Sequence, residues 1–326
     1  MIPIDDIRAA ARRIEGAVHR TPIHHSHSLG EMVGVELFLK CENLQKTGSF
    51  KSRGALNKAL SLSPVERERG LITVSAGNHA QAVAWAAKRI GVPCVVVMPE
   101  DAPRSKLDAV RGYGAEVVLH ADRPTLFDRL REVERERGMT FVHPFDDPVG
   151  LAGAGTCGLE IAEDVPDADV VVVPVGGGGL MAGVASAIEQ MLPRARVVAV
   201  DLQEGPGLEP SLAAGRSIPV TRPPSIADGM TAPFIGTRPL EVAREAVDQI
   251  ALVAEFEIVG AMELLFTRAK LVAEGAGAAA TAALLAGKVD VAQGARVVVI
   301  VSGGNVDPER MQSALVTHER GELPWQ

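Results

Sequence analysis

The sequence predicts an α/β protein built from two open parallel sheets, and three observations lead there. Short apolar runs alternate with helical patterns over 71–141 and again over 148–301, the mark of right-handed βαβ units. The chain is 47% hydrophobic but only 3% aromatic, so its core is Val, Ala, Leu and Ile, which suits parallel strands buried under helices. Its 326 residues are enough for about two domains.

The elements follow in order. Residues 4–14 lie within a segment carrying Asp5, Asp6, Arg8, Arg12, Arg13 and Glu15, an amphipathic helix and not a signal peptide. His24, His25 and His27 fall in a polar segment with Glu31 as the nearby carboxylate, and read as solvated imidazoles on a loop, not as metal ligands. Residues 35–40 alternate as a strand. Gly48 and Ser49 suggest a turn, and 55–60 a helix. Then come strand 71–74, helix 78–90, strand 94–98, helix 103–112, strand 116–119 and helix 128–137. The charge runs at 66–69 and 135–137 read as solvated helix faces. A second unit begins near Pro148, with strand 168–175, helix 180–191 and strand 196–200. Residues 203–227, rich in Gly and Pro, read as loop with a short helix. Helices at 239–247, 258–273 and 275–285 precede a last strand at 297–301.

Composition narrows the function. Lys+Arg 33 against Asp+Glu 41 gives a net charge of −8, with no basic patch and few aromatic platforms, which argues against nucleic acid. Cys41, Cys94 and Cys157 are far apart and odd in number, which fits a reduced compartment and no zinc pattern. No apolar run reaches membrane-spanning length. A cytoplasmic protein is expected, with no regulatory domain after Gln326.

Four stretches carry chemistry. Lys51 lies in Gln45-Lys46-Thr47-Gly48-Ser49-Phe50-Lys51-Ser52-Arg53-Gly54-Ala55, near a helix start. There the helix dipole and burial disfavour an ammonium, and a lysine of lowered pKa attacks carbonyls. By itself it also reads as an ordinary solvated lysine. Ser75-Ala76-Gly77-Asn78-His79 sits between a strand and a helix, where free N–H groups hold a carboxylate and the Asn78 amide can reach a ring oxygen. A simple N-cap cluster is the other reading. Gly176, Gly177, Gly178 and Gly179, before Leu180, let backbone wrap an anion, naturally a phosphate. Gly177-x-Gly179-x-x-Ala182 with Asp201 further on also fits a dinucleotide fingerprint, and so an NAD-dependent dehydrogenase, but that reading leaves Lys51 unexplained. Ser302, in Val301-Ser302-Gly303-Gly304-Asn305, can offer a hydroxyl to a ring nitrogen or belong to a plain turn. A Schiff-base lysine, two anion cradles and that hydroxyl together describe a site for pyridoxal 5'-phosphate.

On these residues the chain resembles the serine/threonine dehydratase family of fold-type II pyridoxal-phosphate enzymes, which share the tryptophan synthase β type of fold. The stretches at 143–148, 226–229 and 273–278 match as well, and the resemblance runs over 20–307. It implies two open parallel α/β domains with the cofactor in the cleft between them. Residues 1–47 and 148–326 would form a large cofactor-binding domain. Residues 48–147 would form a small domain carrying Lys51 and the substrate-carboxylate loop. Lys51 would anchor the cofactor covalently and then move the substrate's α-proton. Phe50 would pack on the cofactor ring and Asn78 would meet the ring hydroxyl. Gly176, Gly177, Gly178, Gly179 and the Leu180 amide would hold the phosphate, and Ser302 would meet the pyridine nitrogen. Ser75, Ala76, Gly77, Asn78 and His79 would bind the substrate carboxylate.

The implied reaction is β-elimination on a β-hydroxy L-amino acid, threonine or serine first, giving a 2-oxo acid and ammonia. A dehydratase for 3-hydroxyaspartate or another β-hydroxy amino acid, a racemase, and a non-catalytic amino-acid-binding protein are the other readings. Racemases of the family carry a serine where this chain has Ala76, which disfavours racemisation. Many members hold a divalent cation with an acidic residue, a carbonyl and a second acidic residue. Those places are Asp201, Gly205 and Gly207 here, so one ligand is missing unless Glu204 or Glu209 compensates, and no metal is assigned. A homodimer or homotetramer is expected.

Overall fold

The computed structural model describes residues 1–102, 104–122 and 125–317. Its strands form two sheets, as the alternation predicts. The larger draws on β1 (Ile23–His25), β2 (Glu36–Lys40), β7 (Val170–Pro174), β8 (Arg196–Leu202), β9 (Gln249–Val253) and β10 (Arg296–Ile300), in the order β1-β2-β10-β7-β8-β9. It is parallel except for the β1–β2 pair. The smaller, fully parallel sheet runs β5-β4-β3-β6, from β3 (Leu71–Val74), β4 (Cys94–Pro99), β5 (Glu116–His120) and β6 (Thr140–Phe141). All five residues of β7 and all six of β4 are buried, so neither strand needs the polar alternation of a half-exposed one.

Register sets the site. β10 lies between β2 and β7, with Ile300 opposite Lys40 and Val299 opposite Val172. The carboxyl ends of these three strands are therefore neighbours. They lead into the Lys51 segment, the Ser302 turn and the glycine turn, which is where open α/β sheets place ligands.

The helices are α1 (Ile4–Ile14), α2 (His27–Val33), α3 (Lys51–Leu60), α4 (Pro64–Arg69), α5 (Asn78–Ile90), α6 (Arg104–Gly112) and α7 (Leu126–Arg137) in the first half. The second half holds α8 (Pro148–Asp164), α9 (Gly179–Met191), α10 (Leu208–Ala214), α11 (Thr237–Ala246), α12 (Glu255–Leu264), α13 (Gly275–Leu285) and α14 (Pro308–Thr317). Pro103, expected to open α6, lies outside the described residues.

Several expectations change. The three histidines are not on a loop: His24 and His25 lie on β1 and His27 opens α2. Their rings are exposed, and His25 stacks on Phe38 with centroids 4.7 Å apart. The helix expected to run to 273 ends early. α12 widens into a single π turn over Leu265–Ala269, and Lys270 takes a left-handed φ of 60°. This break lets the chain turn so that the Glu274 amide reaches the Gly303 carbonyl at 3.1 Å before α13 starts.

The keel of the molecule is α8, which sequence periodicity does not reveal. Its glycines remove side chains where other helices cross. A Cβ on Gly153 would lie 2.7 Å from the Gly54 Cα of α3, and one on Gly183 of α9 would lie 2.5 Å from the Gly155 amide. Asp147 caps α8 by accepting from the Gly150 amide at 2.9 Å, with Pro148 in the first turn.

Ion pairs lock the same junction. Arg53 of α3 pairs with Glu42 and Glu160 at 2.8 and 2.7 Å, and donates to Thr156 Oγ1 at 3.1 Å. Lys40 at the end of β2 also reaches Glu160, at 2.6 Å. Arg53, Glu42 and Lys40 are fully buried, so each charge depends on its partners. Cys41, Cys94 and Cys157 are free and buried. Arg53→Ala is expected to cost about 3–5 kcal/mol of unfolding free energy, because it leaves the fully buried Glu42 without its cation. Urea denaturation measures this, and a loss under about 1 kcal/mol, the size typical of an exposed pair, would contradict it.

Candidate active site

Lys51 opens α3, at the helix start expected for it. Its Nζ donates to the Pro144 carbonyl at 2.8 Å and lies 4.9 Å from the centre of the Phe50 ring. It lines a cavity together with Phe50, His79, His143, Phe145 and Gly179. Burial is the main force on this amine and lowers its pKa to about 8, opposed by the negative charge of Glu274. The backbone before it is tightly shaped. Thr47 and Gly48 both have positive φ, Asn305 Nδ2 donates to the Thr47 carbonyl at 2.6 Å, and Ser49 bridges Gly303. Beside Lys51, Ser49 Oγ is buried and has no partner among the described residues.

The glycine turn leads from β7 into α9. The first N–H groups of a helix have no intrahelical acceptor, and the dipole there favours an anion. Gly178 has φ 90°, and a Cβ on it would meet Pro239 at 2.6 Å. A Cβ on Gly177 would overlap the Phe145 ring, and one on Gly176 would lie 2.8 Å from the Gly229 carbonyl. The glycines are thus required by protein packed around the turn, a reason additional to keeping side chains away from a ligand. Ser302 follows β10, and its Oγ donates to the Ala276 carbonyl at 3.2 Å. Its carbonyl accepts from the Phe50 amide at 3.1 Å, which ties the Ser302 turn to the Lys51 segment.

The loop from Ser75 to His79 joins β3 to α5. Ser75 Oγ accepts from the Gly77 amide at 3.1 Å, and Asn78 is the first residue of α5. Ala76 carries no polar side chain and packs partly against the core of the smaller sheet. Asn78 is held at both ends of its amide: Nδ2 donates to Glu274 Oε1 at 2.5 Å, and Oδ1 accepts from Asn305 at 2.8 Å. Burial, then the charge of Asp228, raises the Glu274 pKa to about 7. His79 is buried and donates Nε2–H to the Val142 carbonyl at 3.1 Å. Burial drops its pKa to about 3, so it is a neutral support and not an acid.

The structure gathers Phe50, Lys51, His79 and Gly179 around one cavity. Asn78 and Ser302 are not part of its lining, and are tied to the Lys51 segment by hydrogen bonds through Asn305 and Phe50. Sequence reasoning assigned no role to Pro144, Phe145 or Glu274, although the stretches at 143–148 and 273–278 flagged their neighbourhoods. It also gave no sign of the Lys106–Asp228 pair, 2.6 Å apart, which joins α6 to the loop before α11. The dinucleotide reading fails at Asp201. Its carboxylate already accepts from the amides of Leu202, Gly207 and Leu208 and pairs with Arg222, leaving nothing to recognise a ribose.

An amine poised near pH 8, a ring beside it, and a glycine cradle at a helix N-terminus fit an aldehyde cofactor bearing a phosphate. Comparison with known proteins agrees. Residues 14–303 match the family described as pyridoxal-phosphate dependent enzyme. The chain is 47% identical to the L-threonine ammonia-lyase of Thermotoga maritima, over 94% of this chain and 76% of that one. It is 44% identical to the catabolic L-threonine dehydratase of Escherichia coli K12, over 95% of each. Among solved structures it is similar to a threonine deaminase from T.th., with TM-score 0.88 and 42% identity over 93% of this chain and 98% of that one. The serine racemase of Dictyostelium discoideum also gives 0.88, with 38% identity over 94% and 99%.

The Lys51 environment makes a measurable claim. Only the neutral amine reacts with an aldehyde, so labelling should rise as the pH passes the pKa. In cofactor-free protein, reductive methylation of Lys51, followed by peptide mass spectrometry, is expected to be half-maximal near pH 8. A profile that rises only around 10.5 would show an amine unaffected by its surroundings.

Proposed function

The chain belongs to the pyridoxal-phosphate dependent enzymes, and we propose that within them it is an ammonia-lyase that removes water from a β-hydroxy L-amino acid. Threonine is the first substrate and serine the second. The observation that carries the reading is Lys51, an amine held by a carbonyl and kept near pH 8, in a cavity beside the glycine turn.

Pyridoxal phosphate, when bound, supplies the electron sink that makes the substrate α-hydrogen acidic. The chain's own residues do the rest. Phe50 offers a ring face, and the turn from Gly176 through Gly179, with the Leu180 amide, takes the phosphate. Lys51 Nζ would hold the cofactor at its aldehyde, and as a neutral amine in the same place it would take the substrate's α-proton. The backbone of the loop at Ser75, Ala76, Gly77, Asn78 and His79 receives the substrate carboxylate, and Asn78 meets the ring oxygen. Ser302 would stand by the ring nitrogen as a neutral hydroxyl, which does not hold a proton there as an aspartate would. That would favour prompt loss of the β-hydroxyl, protonated and leaving as water, over slow reprotonation of the α-carbon. The released enamine hydrolyses in water to a 2-oxo acid and ammonia.

In this reading residues 1–47 and 148–326 form the cofactor-binding domain and 48–147 the smaller one, with the cofactor between them. The enzyme works in the cytoplasm as a homodimer or homotetramer. Three buried free cysteines support the compartment, and among the described residues no helix is long and apolar enough to cross a membrane. Phe256, Phe266 and Val272, 50%, 47% and 45% exposed, lie along one stretch of chain and support self-association.

A panel of β-hydroxy L-amino acids, assayed for ammonia and 2-oxo acid, tests the proposal. Turnover of threonine or serine by wild type, with its loss and loss of the cofactor's absorbance band in Lys51→Ala, is expected. Cofactor-loaded protein that turns over none of the panel would overturn it. Ala76 makes a second claim, because no side-chain acid at that position serves the other face of the substrate. Residual L-serine, followed by chiral chromatography, should stay L while pyruvate forms. Ala76→Ser should raise D-serine formation, since a positioned acid or base typically contributes about 10²–10⁴-fold. D-serine made by wild type as fast as pyruvate would refute the argument from Ala76.

A further inference from the structure

We infer that Arg222 is a built-in cation, which fastens the loop behind the glycine turn to the end of β8 and leaves no room or need for a metal ion there. The resemblance to dehydratases implies a divalent site at Asp201, Gly205 and Gly207, and the residues present do not fit one. Arg222 Nη2 pairs with Asp201 Oδ1 at 2.9 Å, and Nε donates to the Gly205 carbonyl at 2.7 Å. Nη1 donates to the carbonyls of Met230 and Ala232. The guanidinium therefore sits in a cage of one carboxylate and three carbonyls, an oxygen set of the kind that hard cations use. Its side chain is 2% exposed and that of Asp201 is fully buried.

The missing acidic ligand and the arginine explain one another. A Cβ on Gly207 would lie 2.9 Å from Arg222 Nη2, so an acidic side chain there would collide with the guanidinium. The Gly207 amide instead donates to Asp201 Oδ2 at 2.7 Å, so both carboxylate oxygens are already engaged. Glu204 and Glu209 are exposed and do not replace the lost ligand.

The cage bears on the active site through backbone. A Cβ on Gly176 would meet the Gly229 carbonyl at 2.8 Å and the Met230 Cα at 3.2 Å. The Gly236 amide donates to the Gly177 carbonyl at 3.0 Å. Arg222 binds the Met230 and Ala232 carbonyls between these contacts. It is a positioning residue that acts on the phosphate cradle through the loop around 228–236.

The test uses wild-type holoenzyme with Arg222→Ala and the double variant Gly207→Asp/Arg222→Ala. Chelation of wild type by EDTA is expected to leave Tm and turnover unchanged, and Mn²⁺ electron paramagnetic resonance to show no bound ion. A Tm or rate that falls with EDTA and returns with Mg²⁺ would overturn the inference. Arg222→Ala should lower Tm by roughly 5–10 °C, because it leaves a buried carboxylate unpaired, and should weaken cofactor binding. Millimolar guanidinium should recover part of the Tm loss. An Arg222→Ala protein with wild-type Tm and cofactor affinity would also overturn it. The double variant should bind Mn²⁺ and gain Tm from it, and a folded double variant that binds none would show that the cage is not a cation site. If neither variant folds, the chelation arm on wild type decides alone. The Tm, Mn²⁺ and cofactor-affinity readouts do not depend on which amino acid is the substrate, so their failure is separable from failure of the proposed reaction.

Discussion

The structure turns on how it treats positive charge in its interior. Arg53 and Lys40 are buried, and each is given carboxylates: Glu42 and Glu160 for the first, Glu160 for the second. Lys51, two residues before Arg53, is given only a carbonyl. Taking a charge out of water costs several kcal/mol unless a partner offsets it, and here the partners are placed selectively. The paired cations act as fasteners, while the amine without a direct carboxylate partner is the one that can give up its proton. The same turn of chain thus supplies both the anchor and the reactive group.

That anchoring explains why the functional segments meet. Arg53 connects α3 to Glu42, just past β2, and to Glu160 on α8. The glycines of α8 let α3 and α9 approach to backbone contact. The start of α3 and the start of α9 are thereby set against one helix, one presenting Lys51 and the other the glycine turn. Neighbouring strands β2, β10 and β7 deliver the incoming chain. The distance between the Lys51 amine and the glycine turn is in this sense a property of helix packing, decided some way from the cavity.

Much of this was legible in the chain because both sheets are parallel and buried, so their strands are continuous apolar runs. The cofactor of the family was legible because the strings that suggest it are short: the lysine segment, the serine–asparagine loop, the glycine turn and the last serine turn. What could not be read depends on partners far apart in sequence. Nothing at position 53 announces Glu160, and nothing at 222 announces Asp201. α8 escaped because Gly150, Gly153, Gly155 and Gly158 lower helix propensity, and the helix exists through packing on both sides. The run from 258 to 273 was read as one helix because its composition stays apolar across the break. The break itself rests on the backbone at Lys270 and on the destination of Glu274.

The three cysteines carry a consequence for oxidative chemistry. Burial pushes the Cys41 thiol up to about 11 and the Cys94 thiol up to about 12, and it raises Cys157 further still. It is the thiolate that attacks peroxides and disulfides, and at neutral pH these buried sulfurs hold almost none of it. No thiol of the chain is therefore placed to sense an oxidant or to exchange with glutathione.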